Sequence, residues 1–375
     1  MNILGALQKV GRALMMPVAV LPAAALLLRF GQPDLLDIPA VAQAGGAIFD
    51  NLPLLFAVGV GVGLAGDVGT AGLAALVAYV VMTKTATTLN EKINMGVLAG
   101  IIAGALASWM YHRFKDTKLP PYLGFFGGRR SVPIVTAVSA MILGIVFGFI
   151  WPPIQAGIDS VGQWIIGAGV LGVGVFGVLN RLLLPFGLHH IINSLVWFVF
   201  GSYTKSDGTV VTGDLHRFFA GDPTAGDFMA GWFPIMMFGL VGAALAMIHE
   251  AKPEKRPAIA GILGSAAFTS FLTGITEPLE FAFMFVSPLL YGVHAVLSGL
   301  SMSITTALGI KHGFGFSAGF IDYVLNYGLA TKPLLLIPIG LVFLVVYYAV
   351  FRVLIRTLDL KTPGREEEEA EATTA

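Results

Sequence analysis

The sequence predicts an all-α integral membrane protein, with about ten transmembrane helices and two re-entrant hairpins near 182–204 and 271–283. Three observations predict it. Of the 375 residues, 56% are hydrophobic and only 12% charged, with mean hydropathy +0.82, whereas a soluble domain carries about 25% charged residues. Charge-free apolar runs recur along the whole chain. The 47 glycines and 20 prolines are many for so apolar a chain, and suit helices that are broken and closely packed. A net charge of zero argues against nucleic acid as a partner, and without cysteine there is no disulfide and no thiolate metal site.

Spanning a bilayer takes about 20 apolar residues. Lys9 and Arg12 precede the first run, 13–28, a pattern that also suits a cleaved signal peptide. The many later apolar segments, with Pro17 and Pro22 inside the run, favour a retained first helix. Charge-free runs follow at 51–66, 68–83, 93–111, 131–158, 160–180, 228–248, 257–276 and 333–351. The stretch 281–310 holds His294 and no other acidic or basic side chain. Lys and Arg gather at 9–12, 113–118, 129–130, 252–256 and 352–365, which places these loops and both termini in the cytoplasm. The segment 201–227 reads as a polar loop, and the change of character at 153–160 as a domain boundary. The last residues, "TPGREEEEAEATTA", read as a solvated acidic linker.

Chemistry concentrates in two stretches. In "NRLLLPFGLHHIINS", 180–194, Arg181, His189, His190 and Asn193 surround Pro185 and Gly187. Such a break is tolerated only where it is buried in protein or lines a wet cavity. His189 and Asn193 share one face if the second half is helical, while adjacent histidines point apart. No third ligand of suitable spacing follows, so no metal site is expected. In "FLTGITEPLEFAF", 271–283, Pro278 starts a helix with Glu277 at its cap, and Glu280 falls where a capping-box carboxylate stands. Capping is the plain role for Glu280. For Glu277 the alternatives are a buried ion pair with Arg181 or a histidine, and a functional carboxylate, which intramembrane acids are by default. A neutral polyol suits this set, since carboxylates accept hydroxyl protons while histidine and arginine donate to oxygens. Phe186, Trp197 and Phe281 could stack on a sugar face or pack the core. "FFGGRRSVPI", 125–134, reads as a positive-inside loop or as a gate or docking loop. In 311–326, His312 and Asp322 either close a cavity or lie at the interface.

"GITEPLEF", with "ALMMPVAVLPAAALLLRFGQPD", "INMGVLAGIIAG", "FFGGRRSVPI", "NRLLLPFGLHH" and "GDLHRFFAGDPTAGDFM", resembles the enzyme IIC components of the bacterial phosphoenolpyruvate-dependent sugar phosphotransferase system, glucose superfamily. "MNILG", "RFGQPDLL" and "GFSAGFIDYVL" are most similar to its N-acetylglucosamine-specific branch, with glucose- and maltose-specific members as alternatives. The resemblance implies a homodimer in the bacterial inner membrane, with residues 1–155 as dimerisation scaffold. Residues 156–357 would carry the sugar as a rigid, elevator-type body, and 358–375 would be a linker toward an absent IIB domain. It implies sugar contacts at Arg181, His189, Thr276 and Glu277, extended to His190 and Asn193, with Glu277 and His189 serving the chemistry. A IIB phosphocysteine in trans would phosphorylate the sugar 6-hydroxyl, making the chain a phosphotransferase permease active only with IIB, with no cofactor. The competing classes are a proton-coupled sugar transporter, with Glu277 as coupling carboxylate, and a sugar-sensing receptor.

Overall fold

The computed structural model describes residues 13, 17, 20–32, 35–186 and 189–366. Lys9, Arg12, Gly187 and the tail 367–375 lie outside them. In chain order the helices are α1 (Leu21–Phe30), α2 (Pro39–Asp50), α3 (Leu52–Leu64), α4 (Gly69–Leu89), α5 (Gly96–Phe114), α6 (Ser131–Gly167), α7 (Val170–Leu183) and α8 (His189–Phe198). They continue as α9 (Asp214–Phe219), α10 (Asp227–Ala230), α11 (Leu240–Glu250), α12 (Arg256–Thr273), α13 (Glu277–Met284), α14 (Pro288–Ala307), α15 (Phe320–Leu325) and α16 (Leu336–Thr357). One hairpin, β1 (Ser202–Thr204) with β2 (Val210–Thr212), pairs antiparallel with Tyr203 opposite Val211.

The chain forms two compact units: residues to Trp164 with Leu183–Gly201, and Ile165–Leu182 with Ser202 onward. The expected boundary at 155 thus falls at 164, and the 183–201 segment goes with the first unit.

In the first unit small residues let backbones approach closely. Gly96, Gly100 and Gly104 recur every fourth residue, one face of α5. A Cβ at Gly104 would lie 2.7 Å from the Ala57 carbonyl oxygen and 2.8 Å from the Gly61 nitrogen, both α3 backbone. On α4, Ala71, Ala75, Ala78 and Ala86 are wholly buried. Helices α2 and α3 meet at a 55° bend, where Pro53 restarts the chain. Helix α6 runs 37 residues through Pro152 and Pro153.

The second unit has a core of large rings. Trp232, Phe233, Phe283, Tyr347 and Phe351 are all fully buried. The polar segment after Gly201 is ordered: buried Asp214 at the head of α9 accepts the Gly226 and Phe228 N–H groups at 2.9 and 3.1 Å. Burial pushes its carboxyl up to about 6 from the ordinary 3.8, against the pull of those two bonds.

Among the described residues, five helices are long and apolar enough to span a bilayer, or six with the bent α2–α3 pair. The expected tally was about ten. Breaks account for much of the difference: Pro and Gly divide apolar runs into pieces such as α7, too short for a span by length alone. The expected solvated linker departs further. Residues 358–366 are held against the turn between α11 and α12, with Thr362 fully buried.

Candidate functional site

The turn from α12 into α13 is built by its glycine. Gly274 sits at φ +75°, the left-handed region that ends a helix without a Cβ penalty. A Cβ there would meet Ser317 at 2.6 Å, and the Ser317 hydroxyl donates to the Gly274 carbonyl at 2.8 Å. Ser317 belongs to a loop organised by Asp322, which accepts from the Gly315 N–H at 2.7 Å and from Asn326 at 3.3 Å. His312 is fully buried, its ring 4.4 Å from Phe233 and 5.2 Å from Tyr323. His312 is thus part of the core and Asp322 braces the loop, neither of which is the cavity-closing or interfacial place expected of them.

Helix α13 begins at Glu277, with Thr276 as the residue before it and Pro278 in its first turn. The buried Thr276 carbonyl accepts the N–H groups of Leu279 and Glu280 at 3.0 and 2.9 Å. Half-buried Glu277 accepts the Thr276 N–H at 3.2 Å, and has no ion-pair partner among the described residues.

Glu280 behaves otherwise. It was expected to cap the helix by accepting the Thr276 N–H, but that N–H goes to Glu277. Fully buried, its Oε1 accepts from Arg181 Nη1 at 2.6 Å and faces His294 Nε2 at 3.1 Å. His294 Nδ1 lies 2.8 Å from the Tyr347 hydroxyl. Tyr291 donates to the Arg181 carbonyl at 2.5 Å, and the guanidinium stacks 4.3 Å from the Trp232 ring centroid. Arg181, the base expected to face Glu277 or the ligand, is therefore 3% exposed and bonded to Glu280. An ion pair this deep resists loss of either partner, because the survivor is an uncompensated buried charge. Arg181 Nε and Glu280 Oε2 remain without hydrogen-bond partners among the described residues.

His189, His190 and Asn193 belong to the first unit. His189 and His190 open α8, and Asn193 is buried one turn on. The histidine rings do not point apart: their centroids lie 4.0 Å apart, tilted 37°. Successive residues at a helix start can bring flat rings together where long side chains would diverge. Phe186 and Trp197 are half-buried, and Phe281 is 40% exposed beside Phe285. In the 125–134 loop Arg130 folds back over Phe125, 4.5 Å from the ring, and donates to its carbonyl at 3.3 Å.

The structure thus joins Arg181 to the α13 segment through Glu280, and adds His294, Tyr291, Tyr347 and Trp232, none of which sequence reasoning had assigned. His294 carried a signal, as the lone basic group in thirty apolar residues, 281–310.

The family described as "Phosphotransferase system, EIIC" matches residues 11–299. The chain is 56% identical to the N-acetylglucosamine-specific EIICB component of Bacillus subtilis over 97% of its own length and 80% of the relative. It is 55% identical to the N-acetylglucosamine-specific EIICBA component of Escherichia coli, over the whole chain and 58% of the relative. It is 52% identical to the glucosamine-specific EIICBA component of Bacillus subtilis, over 97% of this chain and 60% of the relative. The chain therefore spans about three-fifths of the length of the latter two.

Proposed function

Since the chain belongs to the phosphotransferase system EIIC family, matched over residues 11–299, we propose that it imports N-acetylglucosamine and presents it for phosphorylation. The observation that carries this reading is identity above 50% along nearly the whole chain to two N-acetylglucosamine-specific components. The protein would sit in the bacterial inner membrane as a homodimer through residues before about 155, both termini cytoplasmic, with about ten spans counting broken ones. The later residues would move the sugar as a rigid body.

Glu277 is the carboxylate left for substrate, because Glu280 is taken by Arg181 and His294. It would accept sugar hydroxyls with Thr276 beside it. Arg181, bonded as it is, would act by holding α13 in place. In the chemical step the 6-hydroxyl oxygen attacks a phosphocysteine of a IIB domain. The O–P bond forms, the S–P bond breaks to leave a thiolate, and Glu277 or His189 takes the hydroxyl proton. A general base of this kind is worth about 100-fold or more.

Vesicles holding the protein, supplied with phosphoenolpyruvate and the soluble phosphotransferase components, should accumulate N-acetylglucosamine 6-phosphate. Uptake driven by a proton gradient without phosphoryl donor would overturn the reading. The 52% match to a glucosamine-specific relative favours a second sugar, so glucosamine belongs in the same assay. Preference for it would move the assignment to the free amine.

A further inference from the structure

We propose that residues 358–366 are a strap that pins the first turns of α12, and through that helix positions the turn carrying Glu277. The strap is built, not draped. Arg365 spreads its guanidinium over three acceptors: the Leu360 carbonyl at 3.1 Å, the Glu250 carbonyl at 3.1 Å and Asp359 Oδ1 at 2.7 Å. The Lys252 N–H donates to the Gly364 carbonyl at 3.0 Å. Gly364 is at φ +84°, where a Cβ would lie 2.7 Å from Ala251 and 2.9 Å from Ile259, so only glycine lets the strap lie this close.

The strap matters because, apart from it, the start of α12 is held among the described residues only by Arg256, which donates to the His249 and Ala251 carbonyls at 2.9 and 3.3 Å, and by half-buried Ile259 against the core. From Arg256 to Ile262 no residue of α12 is fully buried, and Ile259, half-buried, lies against Gly364. Burial in α12 begins at Leu263 and continues at Ala267 and Ser270, whose hydroxyl donates to the Met236 carbonyl at 2.6 Å. The helix is thus fastened by core at one end and by strap at the other, and it has no internal proline beyond its first turn. It leads directly through Gly274 to Thr276 and Glu277. A helix held at both ends delivers its C-terminal turn to one place, whereas one free at its start can tilt about Leu263.

The test uses the full chain in detergent, as wild type, Gly364→Val and Arg365→Ala, followed by amide hydrogen exchange. Both variants should speed exchange several-fold at 256–262 and also at the non-proline amides of 275–281. Acceleration confined to 256–262 overturns the proposal, making the strap a local tether, and unchanged exchange at both overturns it too. That readout needs no ligand. Because the positioning role rests on the sugar-binding reading, N-acetylglucosamine affinity is measured in parallel, and both variants should lose several-fold. Unchanged affinity in variants with loosened α12 sinks the positioning role. Absence of binding in the wild type sinks the sugar reading instead, while exchange still decides the strap.

Discussion

In the first unit the helices meet through residues with almost no side chain; in the second, glycine contacts such as Gly242 against the Leu344 carbonyl are joined by a buried carboxylate and guanidinium. Gly100 and Gly104 set α5 on the backbone of α3, and α4 shows it a face of alanines. Packing of this kind depends on volume alone and is indifferent to charge. Around Glu280 the second unit instead surrounds one ion pair with Trp232, Tyr291, His294 and Tyr347. There neither charge can be removed alone, since losing one buried ion leaves the other uncompensated. A scaffold suits the first arrangement. A body that must hold a polar ligand within the membrane needs the second, because the groups that order its site must themselves be polar and satisfied.

The largest effect expected on stability comes from parting the ion pair. Glu280→Ala or Arg181→Ala should cost about 3–5 kcal/mol, seen as loss of monodisperse protein and a lower thermal midpoint in detergent. The double variant Arg181→Met with Glu280→Gln should recover most of that loss. If each single change is tolerated as well as the double, charge is not what holds the second unit together.

The matching change in the first unit is Gly104→Leu, whose added atoms meet α3 backbone that cannot rotate aside. Overpacking of this sort costs about 1–3 kcal/mol. Gly157, with nothing within 4 Å of its would-be Cβ, supplies the control: Gly157→Ala should be neutral or slightly stabilising. A neutral Gly104→Leu would mean that the close approach is not structural.

A smaller effect follows from Asp214, which stands in the polar segment outside the spanning helices. Its folded pKa is raised to about 6 from 3.8, so between those values the folded state binds the extra proton. Stability from this group is therefore greatest at acid pH and falls as pH rises through that window, then stays flat. Wild type should gain a few degrees of midpoint at pH 5 over pH 7.5 relative to Asp214→Asn, which has no proton to bind. Parallel pH profiles for the two would remove Asp214 from the account.

The contrast between units was half legible in the sequence. Apolar runs announced the membrane, and the glycines of "INMGVLAGIIAG" stand at a spacing that predicts close helices. Pro278 placed the start of α13 to within one residue. What stayed hidden was partnership across breaks. Arg181 and Glu280 are 99 residues apart with several interruptions between, and helical spacing carries no phase across an interruption. Local rules gave Glu280 a capping role because the capping pattern fits its position, and a distant arginine outbid that pattern. The strap was hidden for another reason: four consecutive glutamates, 366–369, dominate the tail's composition, while the strap, 358–366, takes in only the first of them.

Glu277 should show the smallest effect on stability and yet decide the function. It lies three residues before Glu280 in the same helix, so a substitution there tests the position while leaving the Arg181–Glu280 bond itself in place. Glu277→Gln keeps the shape and one acceptor oxygen and removes the charge. Its half-buried carboxylate accepts the Thr276 N–H and has no ion-pair partner among the described residues, so folding loses little, about 1 kcal/mol or less, the scale of one ordinary hydrogen bond. Removing the charge also relieves repulsion between two carboxylates on successive turns, which offsets part of even that loss. Binding is another matter, because a charge-assisted hydrogen bond to a sugar hydroxyl contributes about 1.5–3 kcal/mol. Glu277→Gln should therefore keep the wild-type thermal midpoint, weaken N-acetylglucosamine binding in calorimetry, and lower phosphorylation further through loss of a base. Glu280→Gln should do the reverse, yielding little folded protein whose surviving fraction still binds. If instead Glu277→Gln binds and turns over normally, the free carboxylate is not the substrate's, and the orphan Glu280 Oε2 becomes the next candidate.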